Sequence, residues 1–305
     1  MESQLVTLSN ELAALAEKVA PAVVAIHGRR HTPSSGVHWR KDLIVTAEHT
    51  LRRDEDITVT VSQGEPVKAH LVGRDAGTDI ALLKVDGLNA QTADAGTAPQ
   101  LRVGDIALVV GRSPNSGPNA SMGIISAVSG PWRTWRGGEL DQYIRLDANI
   151  FSGSSGGAVV DFRGAVVGIA TSALSRVAGL AIPSSTVNRV VDWLLKKGSV
   201  PHGYIGVGLQ PVPVPESFQK NLSLKNAGGL MVLSVEPNGP ADKSGILVGD
   251  ILLDIGDRTL DDIEDLQSFL TGEKVGKATR AKIIRGGELK EVSVTVGERS
   301  QKGAS

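Results

Sequence analysis

The chain has no cysteine. Disulfides, thiolate metal sites and a cysteine nucleophile are therefore excluded, and the redox poise of the compartment is immaterial to the fold. Aromatic residues make up only 3% of it, so its cores must be built from aliphatic side chains. No apolar run reaches the roughly 18 residues that a membrane-spanning helix requires. An excess of basic charge is also missing: 32 Lys and Arg against 33 Asp and Glu give a formal net charge of −1. Nucleic acid and anionic membrane surfaces both select for such an excess, so neither is an expected partner. The opening stretch MESQLVTLSNELAALAEKVAP lacks a basic segment followed by a long apolar core. It does not read as a secretory leader. The expectation is a cytoplasmic protein, or a periplasmic or otherwise extracytoplasmic one from which a leader has been removed.

What the chain does have is glycine, 36 of its 305 residues, and many short β-branched runs between turn residues. Residues 1–20 are read as an N-terminal helical segment, with the helix expected over 9–20, Ser9 as its cap and Leu12, Ala13, Leu15, Ala16 and Val19 on one apolar side. From Pro21 onward the pattern is that of strands: AVVAIHG, DLIVTAE, ITVTV, VKAHLVG, IALLKV, IALVVG, GIISAVSG and others. A helix over SSTVNRVVDWLLKKG closes this region, capped by Ser184 or Ser185 and stopped by Gly198, its apolar face made of Val187, Val190, Val191, Leu194 and Leu195. The expected boundaries are a first domain over 21–198, a linker over 199–203, a second domain over 204–298 and a disordered tail over 299–305. The expected fold class is mainly β, the second domain being small and β-rich with one or two helices.

Residues 151–160, FSGSSGGAVV, raise the question of chemistry. Residues 153–157 match G-x-S-x-G, the strand–turn–helix elbow of α/β-hydrolases. That motif needs a helix after the serine and a histidine downstream. Here AVVDFRGAVVGIA reads as a hairpin turning at Arg163-Gly164, and the only later histidine is His202, in the linker. The opposite order, histidine then aspartate then serine, suits a two-barrel protease. His49 ends the strand DLIVTAEH. Asp79 precedes the aliphatic strand IALLKV, where a buried carboxylate needs a partner such as an imidazole N–H. The remaining histidines, at 27, 31, 38, 70 and 202, show no zinc-ligand spacing, so neither a metal nor any other cofactor is expected.

With VTAEH, TDIALLKV, GSSGGAVVDFRGAVVGIAT and GLAIP in this order, the chain resembles the trypsin-like proteases of the HtrA/Deg family. The stretch YIGV, followed by VEPNGPADKSGILVGDILLDIG, resembles the single PDZ domain such proteins carry. The resemblance implies a two-barrel chymotrypsin-like domain followed by a PDZ domain, and a serine endopeptidase acting on unfolded polypeptides in protein quality control. It places the nucleophile at Ser155, the general base at His49, the orienting acid at Asp79 and the oxyanion hole at the backbone of Gly153, Ser154 and Ser155. Ser154 stands as the alternative nucleophile. It puts the floor of the substrate pocket at Asn149, six positions before the nucleophile, and its wall at Thr171, Ser172 and Ala173. A neutral Asn149 supplies no carboxylate for Lys or Arg, so cleavage after small or medium aliphatic residues is implied. Asn149 also has a plain structural reading as a hydrogen-bonding residue.

In the PDZ domain, Tyr204, Ile205, Gly206 and Val207 correspond to the segment that receives a peptide C-terminus, with Leu266 and Leu270 lining its pocket; both leucines also suit the core of a small domain. A homo-oligomer, a trimer by resemblance, is expected, although no aromatic residue precedes Trp39. Two features depart from the family pattern. Ala158 stands where a proline is usual, which loosens the serine loop, and the segment GRRHTPSSG between the first strands is a short loop. Trp132 and Trp135 suit either the packing of a surface loop or a sensor for substrate. A rival reading is a catalytically silent PDZ-containing chaperone or scaffold that binds unfolded chains.

Overall fold

Two closed barrels account for the strand-rich region. The computed structural model describes residues 3–29, 32–61, 64–95, 100–115, 117–221 and 227–298. The expected tail at 299–305 and His31 lie outside them. The chain divides into two compact units, Met1–Val200 and Pro201–Ser305.

In the first unit, β1 (Val23–His27), β2 (Ser34–Arg40), β3 (Leu43–Ala47), β4 (Ile57–Thr60), β5 (Val67–Asp75) and β6 (Ile80–Lys84) close into one antiparallel barrel in the order β1-β2-β3-β6-β5-β4. The second barrel begins with β7 (Ile106–Ser113) and β8 (Gly117–Ser129). After a small hairpin of β9 (Trp132–Arg133) and β10 (Glu139–Leu140), it continues with β11 (Tyr143–Asp147), β12 (Ala158–Asp161), β13 (Val166–Thr171) and β14 (Gly179–Pro183). The order is β11-β14-β13-β12-β7-β8. β-Branched residues fill both because a closed barrel buries one face of every strand and has no free edge.

One core joins the two barrels: Val37, Val45 and Leu82 of the first pack with Val110, Val160 and Ile169 of the second. Helix α2 (Ser184–Lys197) lies against this core through Val187, Val190, Val191 and Leu194. The Trp39 indole donates to Asn188 Oδ1 at 2.8 Å, which ties the helix to β2. Gly198 ends α2 in the left-handed conformation, φ 71°. Two expectations need correction. No serine side chain caps the start of α2: Pro183 occupies the cap position, and Ser184 Oγ donates instead to the Val166 carbonyl. Leu195 is 48% exposed and does not belong to the buried face.

The N-terminal helix α1 (Gln4–Val19) is longer than the expected 9–20, and Ser3 rather than Ser9 caps it by accepting from the Leu5 N–H. The reason is visible in the spacing. Leu5, Leu8, Leu12 and Leu15 extend one helical face toward the N-terminus, although Leu5 and Leu8 are exposed and only the C-terminal half reaches the core. The segment taken as a loop up to Gly36 is also shorter. Ser34 and Ser35 belong to β2 and are wholly buried.

The second unit is built on the sheet β16-β17-β18-β20-β21: β16 (Val207–Pro213), β17 (Gly228–Val235), β18 (Ile251–Ile255), β20 (Ala278–Arg285) and β21 (Glu288–Thr295). A two-residue strand, β19 (Arg258–Thr259), pairs with β18, and β15 (Gly203–Tyr204) pairs with β22 (Gly297–Glu298). Helices α3 (Glu216–Asn221) and α4 (Pro240–Lys243) are short; α5 (Ile263–Phe269) starts at a reciprocal capping box between Asp262 and Asp265. Its core holds Ile205, Leu230, Val232, Leu252, Leu266 and Phe269.

Candidate active site

Strand β3 runs into a single tight helical turn, Glu48–Thr50, which carries His49. Asp79 stands just before β6, the strand paired with β3, so antiparallel register alone brings the two together. Asp79 is wholly buried, and its φ of 59° places a non-glycine residue in the left-handed region. That backbone is held from outside: its carbonyl accepts the Glu48 N–H at 3.0 Å, and its Oδ1 accepts the His49 N–H at 2.9 Å. The His49 ring sits over the same carboxylate, with Nδ1 at 3.0 Å from Oδ1 and 2.9 Å from Oδ2. A carboxylate only accepts, so in the neutral ring Nδ1 carries the proton and Nε2 keeps its lone pair. Thr171 Oγ1 donates to Oδ2 as well. The neighbouring acid, Glu48, is turned away from His49 and faces Arg74 at 3.3 Å and Arg136 at 3.7 Å.

Ser155 comes from the other barrel, on the turn leading into β12, where it is 6% exposed. The glycines around it have geometric reasons. Gly156 has φ 88°, and a Cβ there would lie 2.1 Å from the Ser35 carbonyl oxygen and 2.5 Å from Thr46 Oγ1. A Cβ on Gly157 would lie 2.4 Å from the Val110 carbonyl oxygen. The loop is thus pressed against β2, β3 and β7 at distances that only glycine tolerates. Ser35 anchors it further: its N–H donates to the Ser155 carbonyl at 3.2 Å and its Oγ to the Gly153 carbonyl at 2.8 Å.

The two serines part company here. Ser154 Oγ donates to Asn119 Oδ1 at 3.0 Å, whereas Ser155 Oγ meets Ser172 Oγ at 3.1 Å. Among the described residues the hydrogen bonds of His49 all go to Asp79, and the imidazole and the Ser155 hydroxyl are not bonded to one another. The three amides expected at the oxyanion hole also separate. The Ser154 N–H donates to the Phe151 carbonyl at 2.8 Å, while those of Gly153 and Ser155 have no acceptor among the described residues.

The expected pocket residues divide as well. Thr171 is buried behind Asp79 and holds its carboxylate, which makes it a prop of the acid rather than a wall. Ser172 is exposed and touches Ser155. Ala173 donates its N–H to Thr171 Oγ1 at 3.1 Å. Asn149 is exposed, and its carbonyl accepts from Ser121 Oγ at 2.5 Å. Residue-type reasoning missed Ser35, Asn119 and the prop role of Thr171, because a serine, threonine or asparagine in a strand carries no local sign of what it will hold across a barrel. Trp132 packs edge-on against Tyr143, centroids 5.1 Å apart, whereas Trp135 is 70% exposed beneath the Arg136 guanidinium.

In the second unit, Ile205 is buried and its carbonyl accepts the Ala241 N–H at 2.8 Å; Gly206 has φ 76°, and its carbonyl accepts from the Glu236 N–H at 2.9 Å. Tyr204 lies in β15 and Val207 begins β16, which pairs with β17 on one side and ends the sheet on the other. Leu266 is 4% exposed in the core, and Leu270, at the end of α5, packs at its edge. Among the described residues, no cluster of His, Asp and Glu is arranged to hold a metal, and no helix is long and apolar enough to cross a membrane.

Two six-stranded barrels, with a His–Asp pair on one and a glycine-flanked serine on the other, define a trypsin-like peptidase domain. The family description "Trypsin-like peptidase domain" matches residues 34–169, and "PDZ domain" matches residues 203–296. The chain is 31% identical to the serine endoprotease DegS of Haemophilus influenzae, over 92% of this chain and 85% of that one. It is 34% identical to a probable periplasmic serine endoprotease, DegP-like, of Brucella suis, over 88% of this chain. It spans about half the length of that relative, 53%. Among solved structures, the serine endoprotease from Yersinia pestis superposes with a TM-score of 0.77 at 30% identity, covering 95% of this chain and 98% of that one. The HtrA-type protease AlgW with a decapeptide superposes with a TM-score of 0.77 at 27% identity, covering 94% and 98%. The chain belongs to the HtrA/Deg family of trypsin-like serine endoproteases with a PDZ domain.

Proposed function

We propose that this protein is a serine endopeptidase that cleaves unfolded polypeptides through an acyl-enzyme, with Ser155 as nucleophile, His49 as general base and Asp79 as orienting acid. The observation that carries this reading is the buried Asp79 carboxylate on His49 Nδ1 at 2.9 Å, which in the neutral ring leaves the Nε2 lone pair available. A free serine hydroxyl is a poor nucleophile, and an imidazole so oriented is the matched base. Turning the Ser155 side chain from Ser172 toward His49 exchanges one hydrogen bond for another, a change of about 1 kcal/mol. His49 then takes the hydroxyl proton as Oγ attacks the scissile carbonyl. It returns that proton to the leaving amine, and water repeats the sequence on the ester. The unoccupied N–H groups of Gly153 and Ser155 support their assignment as donors to the developing oxyanion. Ser154, whose hydroxyl and amide are both engaged, is disfavoured as nucleophile.

The substrate class follows from the neutral Asn149 and from the PDZ unit, whose open β16 edge beside Gly206 suits the addition of a peptide strand ending in a carboxylate. The decapeptide named with the AlgW structure and the periplasmic designation of the Brucella relative support peptide capture and an extracytoplasmic site of action. Homo-oligomerisation, as a trimer, completes the reading by family resemblance. A fluorophosphonate, with mass mapping of the modified residue, tests the chemistry. Label on Ser155, dependent on His49, is expected; label on another residue overturns the assignment. The Ser155–Ser172 bond favours a second reading, a silent peptide-binding scaffold. Casein cleavage that is equally negligible in the parent and in Ser155→Ala would establish it.

A further inference from the structure

We propose that the protease unit carries a binding site for a small aliphatic monocarboxylate, held by Arg112 beneath the N-terminal helix. A cavity of about 500 Å³ opens there, within the size range of small-molecule sites. Its walls are mostly aliphatic, with Ala16, Ala20, Pro21, Val61, Val110 and Pro118 among the lining residues. Arg112 also lines it and is only 6% exposed. Its Nε donates to the Val23 carbonyl and its Nη2 to the Ala20 carbonyl. Ala20, whose carbonyl takes the Nη2 bond, lines the cavity as well.

A guanidinium has five N–H groups, and among the described residues only the two carbonyls accept from that of Arg112. Among the described residues no carboxylate forms an ion pair with Arg112, and burial pulls its pKa below the ordinary arginine value. A buried cation without a counter-ion is costly, and an incoming anion removes that cost. Glu17, the acidic residue that lines the cavity, is exposed and forms no ion pair with Arg112. With one cation inside and a carboxylate nearby, a monoanion is favoured over a phosphate dianion. The aliphatic walls favour a hydrocarbon body.

The site is wired to the serine loop. The Arg112 backbone N–H donates to Ser35 Oγ at 2.9 Å, and that hydroxyl donates to the Gly153 carbonyl at 2.8 Å. Asn119, another lining residue, accepts the Ser154 hydroxyl. Occupancy of the cavity therefore bears on the backbone flanking Ser155. This consequence rests on the proposed catalytic reading, whereas the binding does not.

The probe is sodium octanoate, titrated into the full chain by calorimetry and by thermal unfolding, with 1-octanol and inorganic phosphate as controls. Octanoate is expected to bind one per chain and raise the unfolding temperature, each control binding about tenfold or more weakly, the effect of losing a charge-assisted contact. Arg112→Met should abolish the shift. Ala16→Phe, which fills the cavity and leaves Arg112 intact, should do the same if the first variant does not fold. No octanoate binding, equal binding of octanol, or an unchanged shift in folded Ala16→Phe overturns the site. Octanoate should also alter the rate of fluorophosphonate labelling at Ser155. An unaltered rate at saturating octanoate overturns the coupling, and a complete lack of labelling both with and without octanoate, while octanoate still binds, counts against the catalytic reading alone.

Discussion

The two halves of the candidate active site are held in opposite ways. On the first barrel, His49 and Asp79 share a carboxylate that accepts the His49 N–H, the imidazole N–H and the Thr171 hydroxyl, all in a buried position. On the second barrel, the backbone of the serine loop is clamped by glycine contacts and by Ser35, yet the Ser155 hydroxyl rests on an exposed neighbour, Ser172. The imidazole is fixed by a buried carboxylate, whereas the Ser155 hydroxyl is held by one bond to a serine side chain. Activity in such a site depends on small differences at the serine side, where one hydrogen bond decides the resting state, and on large ones at the acid side, where a buried group has nowhere else to turn.

Substitutions can break or sharpen this contrast. Ser155→Ala should remove about a millionfold of kcat, the loss typical of a triad knockout, with secondary structure by circular dichroism unchanged. If instead it cleaved casein like the parent, the nucleophile would lie elsewhere. Asp79→Asn should lower kcat about ten-thousandfold by allowing the wrong imidazole tautomer, measured on a peptide ester at saturating substrate. Gly156→Ala attacks the clamp rather than the chemistry. Its Cβ would meet the Ser35 carbonyl at 2.1 Å in a left-handed backbone, so a loss of about 3–5 kcal/mol is expected in urea unfolding. A loss under 1 kcal/mol, to be seen as an almost unmoved urea midpoint, would mean that the loop is free to retreat from β2.

Ser172→Ala should do the opposite of all these. Releasing the hydroxyl from a bond of about 1 kcal/mol should speed fluorophosphonate labelling up to about fivefold. Slower labelling would show that Ser172 supports the reactive rotamer instead of competing with it. The smallest effect concerns pH and lies away from the triad. Burial, reinforced by Arg53, lowers the His27 pKa below 6.5. The unfolded chain therefore binds this proton more readily than the folded one. Stability present above pH 6.5 should decline as the pH falls below it, and His27→Gln should flatten that decline in urea midpoints measured between pH 7 and 5. An unchanged slope would show that His27 takes up its proton without strain in the folded state.

Much of the arrangement could be read from residue types alone. The β-branched runs predicted the strands, Arg163-Gly164 marked the hairpin after the serine, where Gly164 has φ 82°, and Gly198 marked the stop of α2. Other elements were legible only in part. Leu5 and Leu8 carry the helical spacing of α1 to Gln4, but a leucine pair followed by Ser9 also reads as a loop ending in a cap. Leu195 fits the apolar period of α2 and still faces outward, because period sets the direction of a side chain and not whether a neighbour stands there. Ser34 and Ser35, next to a proline, carry the composition of a turn and are buried in a strand.

The order of histidine, aspartate and serine, the glycines that permit a tight turn and the absence of thiol and basic excess are properties of the chain itself. They pointed to a hydroxyl nucleophile in a β-rich protein before any fold was known. Which hydroxyl faces Ser172 and which faces Asn119, that Thr171 props Asp79, and that Arg112 lies buried with no carboxylate partner among the described residues were decided only when the two barrels closed on one another. Those relations are contacts between strands distant in sequence, set by barrel closure and shared packing, and no local propensity encodes a distance across a core.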